Sequence, residues 1–329
     1  MQYVQLGNSG LAVSRLSFGT MSFGDQADEA AAADMYKACR DVGINVFDTA
    51  DMYSKGVSEE ILGRLIAGHR EEVVIASKAY FPTGTGPNDH GASRVHLTRA
   101  IENSLKRLNI ERIDIQYVHR FDDKTPLEET FRTLDDLVRA GKISYIGLSN
   151  FSAWQAQKAL DLCEHQGWTK PIVIQPMYNL VKRQVEVEIL PMAKSEGLGV
   201  MPYSPLGGGL LTGKYTATNR PDAGRLVDNK MYALRYSGGD NYEVAANFTS
   251  YAEKIGVNPV ALAVRWVAEH PAVTSTLLGA RNTKQLAPAL TALDLELPEG
   301  WYDEVAALSP APPSATDRSE EGSSLQFVR

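Results

Sequence analysis

The chain predicts a (β/α)8 barrel with an N-terminal β-hairpin and long rim loops. Three observations carry that expectation. Short apolar runs alternate with longer amphipathic stretches through most of the 329 residues. The first run lacks the G-x-G-x-x-G turn that usually opens a doubly wound sheet. Polar residues close three successive runs: Asp48, Lys78 and His119. Strict alternation implies parallel strands joined by right-handed crossovers, and eight such units close into a ring. In such a ring the C-terminal strand ends open onto one face, which is where these barrels do chemistry.

The elements follow in order. YVQLGNSGLAVS sets Asn8, Ser9 and Gly10 between two short alternating runs, a hairpin pattern. The strand candidates are RLSFGT, INVFDT, VVIASK, IDIQYVH, SYIGLS, IVIQPM, LGVMPYS and STLLGA. ADEAAAADMYKACRDVG places apolar residues at helical spacing and stops at Gly43. SEEILGRLIAG, SRVHLTRAIENSLKRLNI, TPLEETFRTLDDLVRAGK and SAWQAQKALDLCEHQG are the next helices, then RQVEVEILPMAKSEG, YEVAANFTSYAEKIG and PVALAVRWVAEHP. In TPLEETFRTLDDLVRAGK, Thr125 is expected to cap, with Pro126 at the first helical position and Gly141 at the stop.

Two stretches break the rhythm. FPTGTGPNDHGASR reads as a rim loop after the third strand, and Thr216 to Asn241 as a long loop after the seventh. Loops of that length on a compact domain are more often lids or binding loops than linkers. The whole chain, 1–329, reads as one domain with a polar tail over about 309–329.

Composition narrows the function. A formal net charge of -7 argues against a broad nucleic-acid surface. The start lacks a signal-peptide pattern and no apolar run spans a bilayer, so a cytoplasmic protein without a membrane partner is expected. Cys39 and Cys163 fall in helical patterns and read as reduced packing residues; no metal site is expected. A homo-oligomer is left open.

Lys78 ends a run as apolar as VVIAS, where an unpaired ammonium would be costly. Asp48, closing the preceding run, is its natural partner. Tyr53 lies in the loop five positions after Asp48. Beside the lysine its pKa is expected below the usual value near 10, suiting it to pass a proton to a carbonyl oxygen. His119, one strand further round, could hold the same oxygen. Singly, each has a structural alternative: a turn cap, a packing ring, a snorkelling stem, a rim imidazole. The set favours proton-transfer catalysis.

The motifs FDTADMYSKGVSEEILG, IASK, DIQYVHR, GKISYIGLSNF and YSPLGGGLLTGKY resemble those of the aldo-keto reductases, in the branch that includes potassium-channel beta subunits and many bacterial oxidoreductases. The resemblance runs from Gln5 to about Leu286. It implies that Tyr53 is the general acid, Lys78 and Asp48 tune it, and His119 orients the substrate carbonyl. It also implies an extended NADPH/NADP+ across the rim. Ser149, Asn150 and Gln175 match residues that hold the nicotinamide carboxamide, and Tyr203 the ring on which nicotinamide stacks.

Gly208 to Lys214 reads G-x-x-x-x-G-K, a phosphate-loop pattern in which Tyr215 replaces the final hydroxyl. The preferred reading puts Ser204, Leu206, Gly208 and Lys214 around the cofactor pyrophosphate, with Arg225 as a clamp. By resemblance STLLGARNTKQL holds the adenosine end: Gly279 allows backbone approach, Arg281 pairs with a 2′-phosphate and Gln285 reaches the adenine. That favours NADPH over NADH. Pro288 and Ala289 stand where many relatives carry Glu and Asn, a departure from the pattern.

Met21, Tyr80, Phe81, Arg120 and Phe121 follow strand ends and are the candidate substrate lining, suited to an aldehyde or ketone of moderate size. The expected function is NADPH-dependent reduction of a carbonyl to an alcohol. The alternatives are a cofactor-binding partner subunit with slow turnover and a non-redox barrel.

Overall fold

The computed structural model describes residues 1–215, 221–222, 224–316 and 318. The start of the expected long loop and most of the expected polar tail lie outside the described residues.

Strands β1 (Tyr3–Gln5) and β2 (Ala12–Ser14) form the antiparallel hairpin, with Val4 opposite Val13. The remaining strands are β3 (Leu16–Gly19), β4 (Val46–Asp48), β5 (Val74–Ala79), β6 (Ile113–Val118), β7 (Ile143–Ser149), β8 (Pro171–Gln175), β9 (Gly199–Val200) and β10 (Thr276–Leu278). They form one parallel sheet in the order β10-β3-β4-β5-β6-β7-β8-β9. The Thr274 and Ser275 amides donate to the Val200 carbonyl and the Leu277 amide to the Pro202 carbonyl, which joins the two ends and closes the ring. All eight expected strand segments supply a barrel strand.

The crossovers carry α1 (Glu29–Asp41), α2 (Val57–Leu65), α3 (Arg94–Leu108), α4 (Leu127–Arg139), α5 (Ala153–Gln166) and α6 (Ile189–Glu196). Beyond β9 come α7 (Arg225–Asp228), α8 (Lys230–Tyr236), α9 (Asn241–Lys254) and α10 (Pro259–Glu269), and after β10 come α11 (Thr283–Leu290) and α12 (Trp301–Ala306). Local chemistry sets several starts. Asp28 accepts the Ala31 amide at 2.9 Å to begin α1, and Asn258 caps α10 with Pro259 at its first position. At the start of α5 the Ser152 amide donates to Gln155 Oε1 at 2.9 Å, one arm of a capping box. Among the described residues no helix is long and apolar enough to cross a membrane.

Two expectations need correction. Pro126, not Thr125, is the residue before α4, because the Thr125 hydroxyl is drawn to Asp122 Oδ2 at 2.7 Å. The stretch expected as a loop to Asn241 contains α7 and α8. Asn229 builds the second of these by accepting the Met231 and Tyr232 amides.

Each barrel strand is buried on both faces, and a period of two decides what each face meets. Outward residues such as Phe47, Ile75, Ile146, Leu148 and Ile174 join the core shared with the helices. Inward residues Val46, Val74, Ala76, Ile115, Tyr117, Val173 and Met201 pack together inside the ring, with Leu6 and Val13 of the hairpin in the same cluster. The hairpin thus plugs the N-terminal end. Carried one step further up each strand, the inward parity reaches Asp48, Lys78, His119, Ser149, Gln175 and Tyr203. The apolar ladder places the polar residues at the mouth.

Tyr117 fills the layer beneath them, and Gly147 on the neighbouring strand makes room for it. A Cβ at position 147 would stand 2.5 Å from the Tyr117 ring, which packing holds in place. Gly147→Ala is therefore expected to cost about 1–3 kcal/mol of stability by overpacking. A urea titration that matched the wild type would show that Tyr117 can move aside.

Candidate active site

At the mouth the Lys78 ammonium meets the Asp48 carboxylate, with both side chains 1% exposed. Lys78 Nζ also donates to the Thr49 carbonyl at 2.8 Å and to the Tyr53 hydroxyl oxygen at 3.4 Å. Asp48 Oδ2 accepts from Gln175 Nε2 at 2.9 Å. Every charge of the buried pair is therefore hydrogen-bonded, the condition under which such a pair is tolerated.

Tyr53 is carried by a tight turn. Ser54 (φ 49°) and Lys55 (φ 56°) adopt left-handed backbone just after it, at a cost on the order of 1 kcal/mol each. The Ser54 hydroxyl, donating to the Phe23 carbonyl at 2.7 Å, helps hold that turn.

The ionisation of the four differs from the sequence expectation at one point. Burial raises the Tyr53 phenol above its usual value, and Asp48 adds to this, while Lys78 pulls the other way without prevailing. The expected lowering fails because burial disfavours the phenolate and outweighs the lysine, with Asp48 adding to the rise. Burial works against the Lys78 ammonium, yet Asp48 and Tyr53 hold its pKa above the ordinary value. Burial, then the Lys78 charge, push the His119 imidazole well below its ordinary value, so it stays neutral at neutral pH. Its ring lies edge-on to Tyr53 and Phe81, with centroids 6.0 Å and 4.8 Å away.

A second network runs along the neighbouring strand ends. Ser149 Oγ donates to the Gln175 carbonyl at 3.2 Å, and Asn150 Nδ2 donates to the His119 carbonyl and to Ser149 Oγ, each at 3.0 Å. The Tyr203 hydroxyl donates to Asn150 Oδ1 at 2.7 Å. Asn150 (φ 56°) and Ser204 (φ 60°) are left-handed, a strain that collects where the chain turns into the cleft.

These residues open onto a cleft of about 820 Å³, in the range of small-molecule sites. Asp48, Tyr53 and His119 line it, with Lys78 buried behind them. All twelve expected cofactor residues are on its wall: Ser149, Asn150, Gln175, Tyr203, Ser204, Leu206, Gly208, Lys214, Arg225, Gly279, Arg281 and Gln285. Of the expected substrate residues Met21, Phe81 and Arg120 line the cleft. Tyr80 and Phe121 are not on its wall. Tyr80 packs edge-on to Phe81 with centroids 5.3 Å apart, and Phe121 packs against Phe151 at 5.4 Å and Trp154 at 5.8 Å.

The cleft fits an extended dinucleotide phosphate. A Cβ on Gly279 would meet no protein atom within 4 Å, so the space beside that backbone is free. Lys214, Arg225, Arg281 and Lys284 bring positive charge to the wall. Gln285 is partly engaged, since its Oε1 accepts the Arg281 amide at 3.2 Å, leaving its amide donors. Pro288 and Ala289 line the cleft without a side-chain polar group.

Sequence reasoning missed Tyr232 and Arg235, which reach the cleft from α8. Their spacing of three on KMYALRY would have put both on one helical face, had that stretch been read as helix. Gly208 lets α8 approach: a Cβ there would stand 3.0 Å from Tyr232 and 3.2 Å from Tyr236 and from Leu226.

Asp51, whose amide donates to the Lys78 carbonyl at 3.1 Å, is 2% exposed, with no well-formed hydrogen bond at either carboxylate oxygen among the described residues. Burial and the Glu59 carboxylate push it up to about 7, against weaker pulls from Arg107, the Met52 amide and Lys78. With the folded value above the unfolded one, its contribution to stability is full below the usual carboxylate range. It is lost as the pH rises toward about 7. Asp51→Asn should therefore stabilise the protein more at pH 8 than at pH 5, by on the order of 2 kcal/mol. Denaturant midpoints at the two pH values measure this, and an equal effect at both would contradict it.

The model of the family described as "Aldo/keto reductase family" matches residues 15–310. The chain is 39% identical to the "Probable voltage-gated potassium channel subunit beta" of Oryza sativa subsp. japonica, over 96% of this chain and 99% of the relative. It is 34% identical to the "Uncharacterized oxidoreductase YrpG" of Bacillus subtilis, over 96% and 98%. It is 36% identical to the "L-glyceraldehyde 3-phosphate reductase" of Escherichia coli O157:H7, over 89% and 88%. With a closed (β/α)8 ring, a buried Asp–Lys pair beside a tyrosine at its mouth and these matches along nearly its whole length, the chain belongs to the Aldo/keto reductase family and is an oxidoreductase.

Proposed function

We propose that the protein reduces an aldehyde or ketone to an alcohol at the expense of NADPH, with Tyr53 as the general acid. The observation that carries this reading is the bonding at Tyr53. Lys78 donates to the phenol oxygen, so the phenol's own proton is left to be given into the cleft. When bound, NADPH supplies the hydride. Tyr53 gives its proton to the carbonyl oxygen, and Lys78 stabilises the phenolate left behind. His119 is neutral and its buried Nδ1 has no partner among the described residues, which favours the tautomer with the proton on Nε2. That N–H can donate to the same substrate oxygen.

Ser149, Asn150 and Gln175 present amide-matching groups on the wall beside Tyr203, where a nicotinamide can lie with one face toward Tyr53. At the far end Arg281 and Lys284 suit a 2′-phosphate, and a planar guanidinium binds it bidentately. Buried free thiols at Cys39 and Cys163 accord with a reducing, cytoplasmic setting.

The name of the rice relative supports a second reading, a cofactor-binding partner subunit with slow turnover. Turnover rates separate the two. NADPH oxidation with a panel of aldehydes should fall about 10²- to 10⁴-fold in Tyr53→Phe, with NADPH affinity little changed. Full activity in that variant would remove Tyr53 from the acid role. Because the phenol's pKa is raised, reduction should hold its rate through neutral pH and decline only in the alkaline range. Arg281→Ala should weaken NADPH by about tenfold while leaving NADH nearly as before; equal effects on both would place Arg281 away from the 2′-phosphate.

A further inference from the structure

We propose that the carbonyl substrate carries an oxyanion, a carboxylate or a phosphate, and that Arg235 on α8 binds it. This rests on the reductase reading above and names its substrate class.

Arg235 is half-buried on the cleft wall. Its guanidinium stands 4.9 Å from the centre of the Tyr232 ring. The adjacent Tyr236 accepts from Asn179 Nδ2 at 3.2 Å, and the same amide donates to the Ser204 carbonyl at 2.9 Å, so this end of α8 lies beside the Tyr203–Ser204 wall, where Arg235 acts on Tyr203. Its own hydrogen bonding is weak, a 3.9 Å contact to the Met231 sulfur. Among the described residues the arginine–carboxylate pairs all use other arginines.

The charge balance of the cleft points the same way. Among the described residues its wall carries Arg120, Lys214, Arg225, Arg235, Arg281 and Lys284 against one carboxylate, Asp48, already paired to Lys78. This is a concentration of cations on a chain of net charge -7. The pyrophosphate and 2′-phosphate of NADPH bring roughly four negative charges, which Lys214, Arg225, Arg281 and Lys284 match. Arg235 and the exposed Arg120 beside His119 remain. A neutral substrate would close the cleft over an unpaired guanidinium, whereas an oxyanion meets its planar fork with two hydrogen bonds. A site built to pair a charged group rejects the analogue that lacks it.

The test compares 4-carboxybenzaldehyde with methyl 4-formylbenzoate, which share ring and aldehyde and differ in charge. The carboxylate should be preferred by about tenfold or more in kcat/KM, carried mainly in KM and reduced by added salt. Arg235→Gln should remove that preference by slowing the carboxylate far more than the ester, and Arg235→Lys should restore part of it. Equal wild-type efficiencies would overturn the proposal. So would an Arg235→Gln variant that slows both aldehydes alike and weakens NADPH, because Arg235 would then serve the cofactor phosphates. Turnover of the ester by the wild type reads the reductase function separately. Should neither aldehyde react, that function fails for both. Benzoate and benzamide, titrated calorimetrically into the protein with NADP+, then read anion selectivity without chemistry. Benzoate binding that is lost in Arg235→Gln supports the proposal, and equal binding of the two overturns it.

Discussion

The mouth of this barrel is organised around one ion pair, Asp48 with Lys78, withdrawn almost completely from water. Two charges so placed are tolerable only when each is fully hydrogen-bonded. That requirement reaches well beyond the pair. It recruits the Thr49 carbonyl, the Tyr53 hydroxyl and the Gln175 amide. Through Tyr53 it fixes the strained turn after β4, and through Gln175 it ties the opposite wall of the cleft to the same carboxylate. Tyr53 and the wall that carries Gln175 are thus held in one register.

The same pair explains why neighbouring ionisations move in different directions. At Tyr53 desolvation outweighs the pull of Lys78, Asp48 opposes that pull, and the phenol keeps its proton. At His119 desolvation and the lysine charge act together, and the imidazole remains uncharged. In the proposed mechanism these two groups are neutral donors to an oxygen on which negative charge develops.

Around this rigid floor the roof is assembled from less regular chain. The turns between β9 and α7 use Gly208 to bring α8 close, and α8 returns Tyr232 and Arg235 to the cleft. Conformational strain gathers at the same level, at Asn150 and Ser204, where the chain turns into the cleft rather than continue a strand.

The alternation of apolar runs and amphipathic stretches determined the ring, the hairpin and the strand ends, because burial of both strand faces is written in local composition. The mouth positions of Asp48, Lys78 and His119 were legible because a polar residue closing an apolar run is conspicuous, and Tyr53 and the other cleft-lining residues followed from ordered motifs. What only the tertiary structure decided depends on distance in space. Thr125 lost its capping role to Asp122, and Tyr80 and Phe121 turned to aromatic neighbours instead of the cleft. Two turns of α8 formed where a loop was expected. The direction of the Tyr53 shift likewise required the depth of burial and the opposing Asp48 charge, quantities that no spacing along the chain contains.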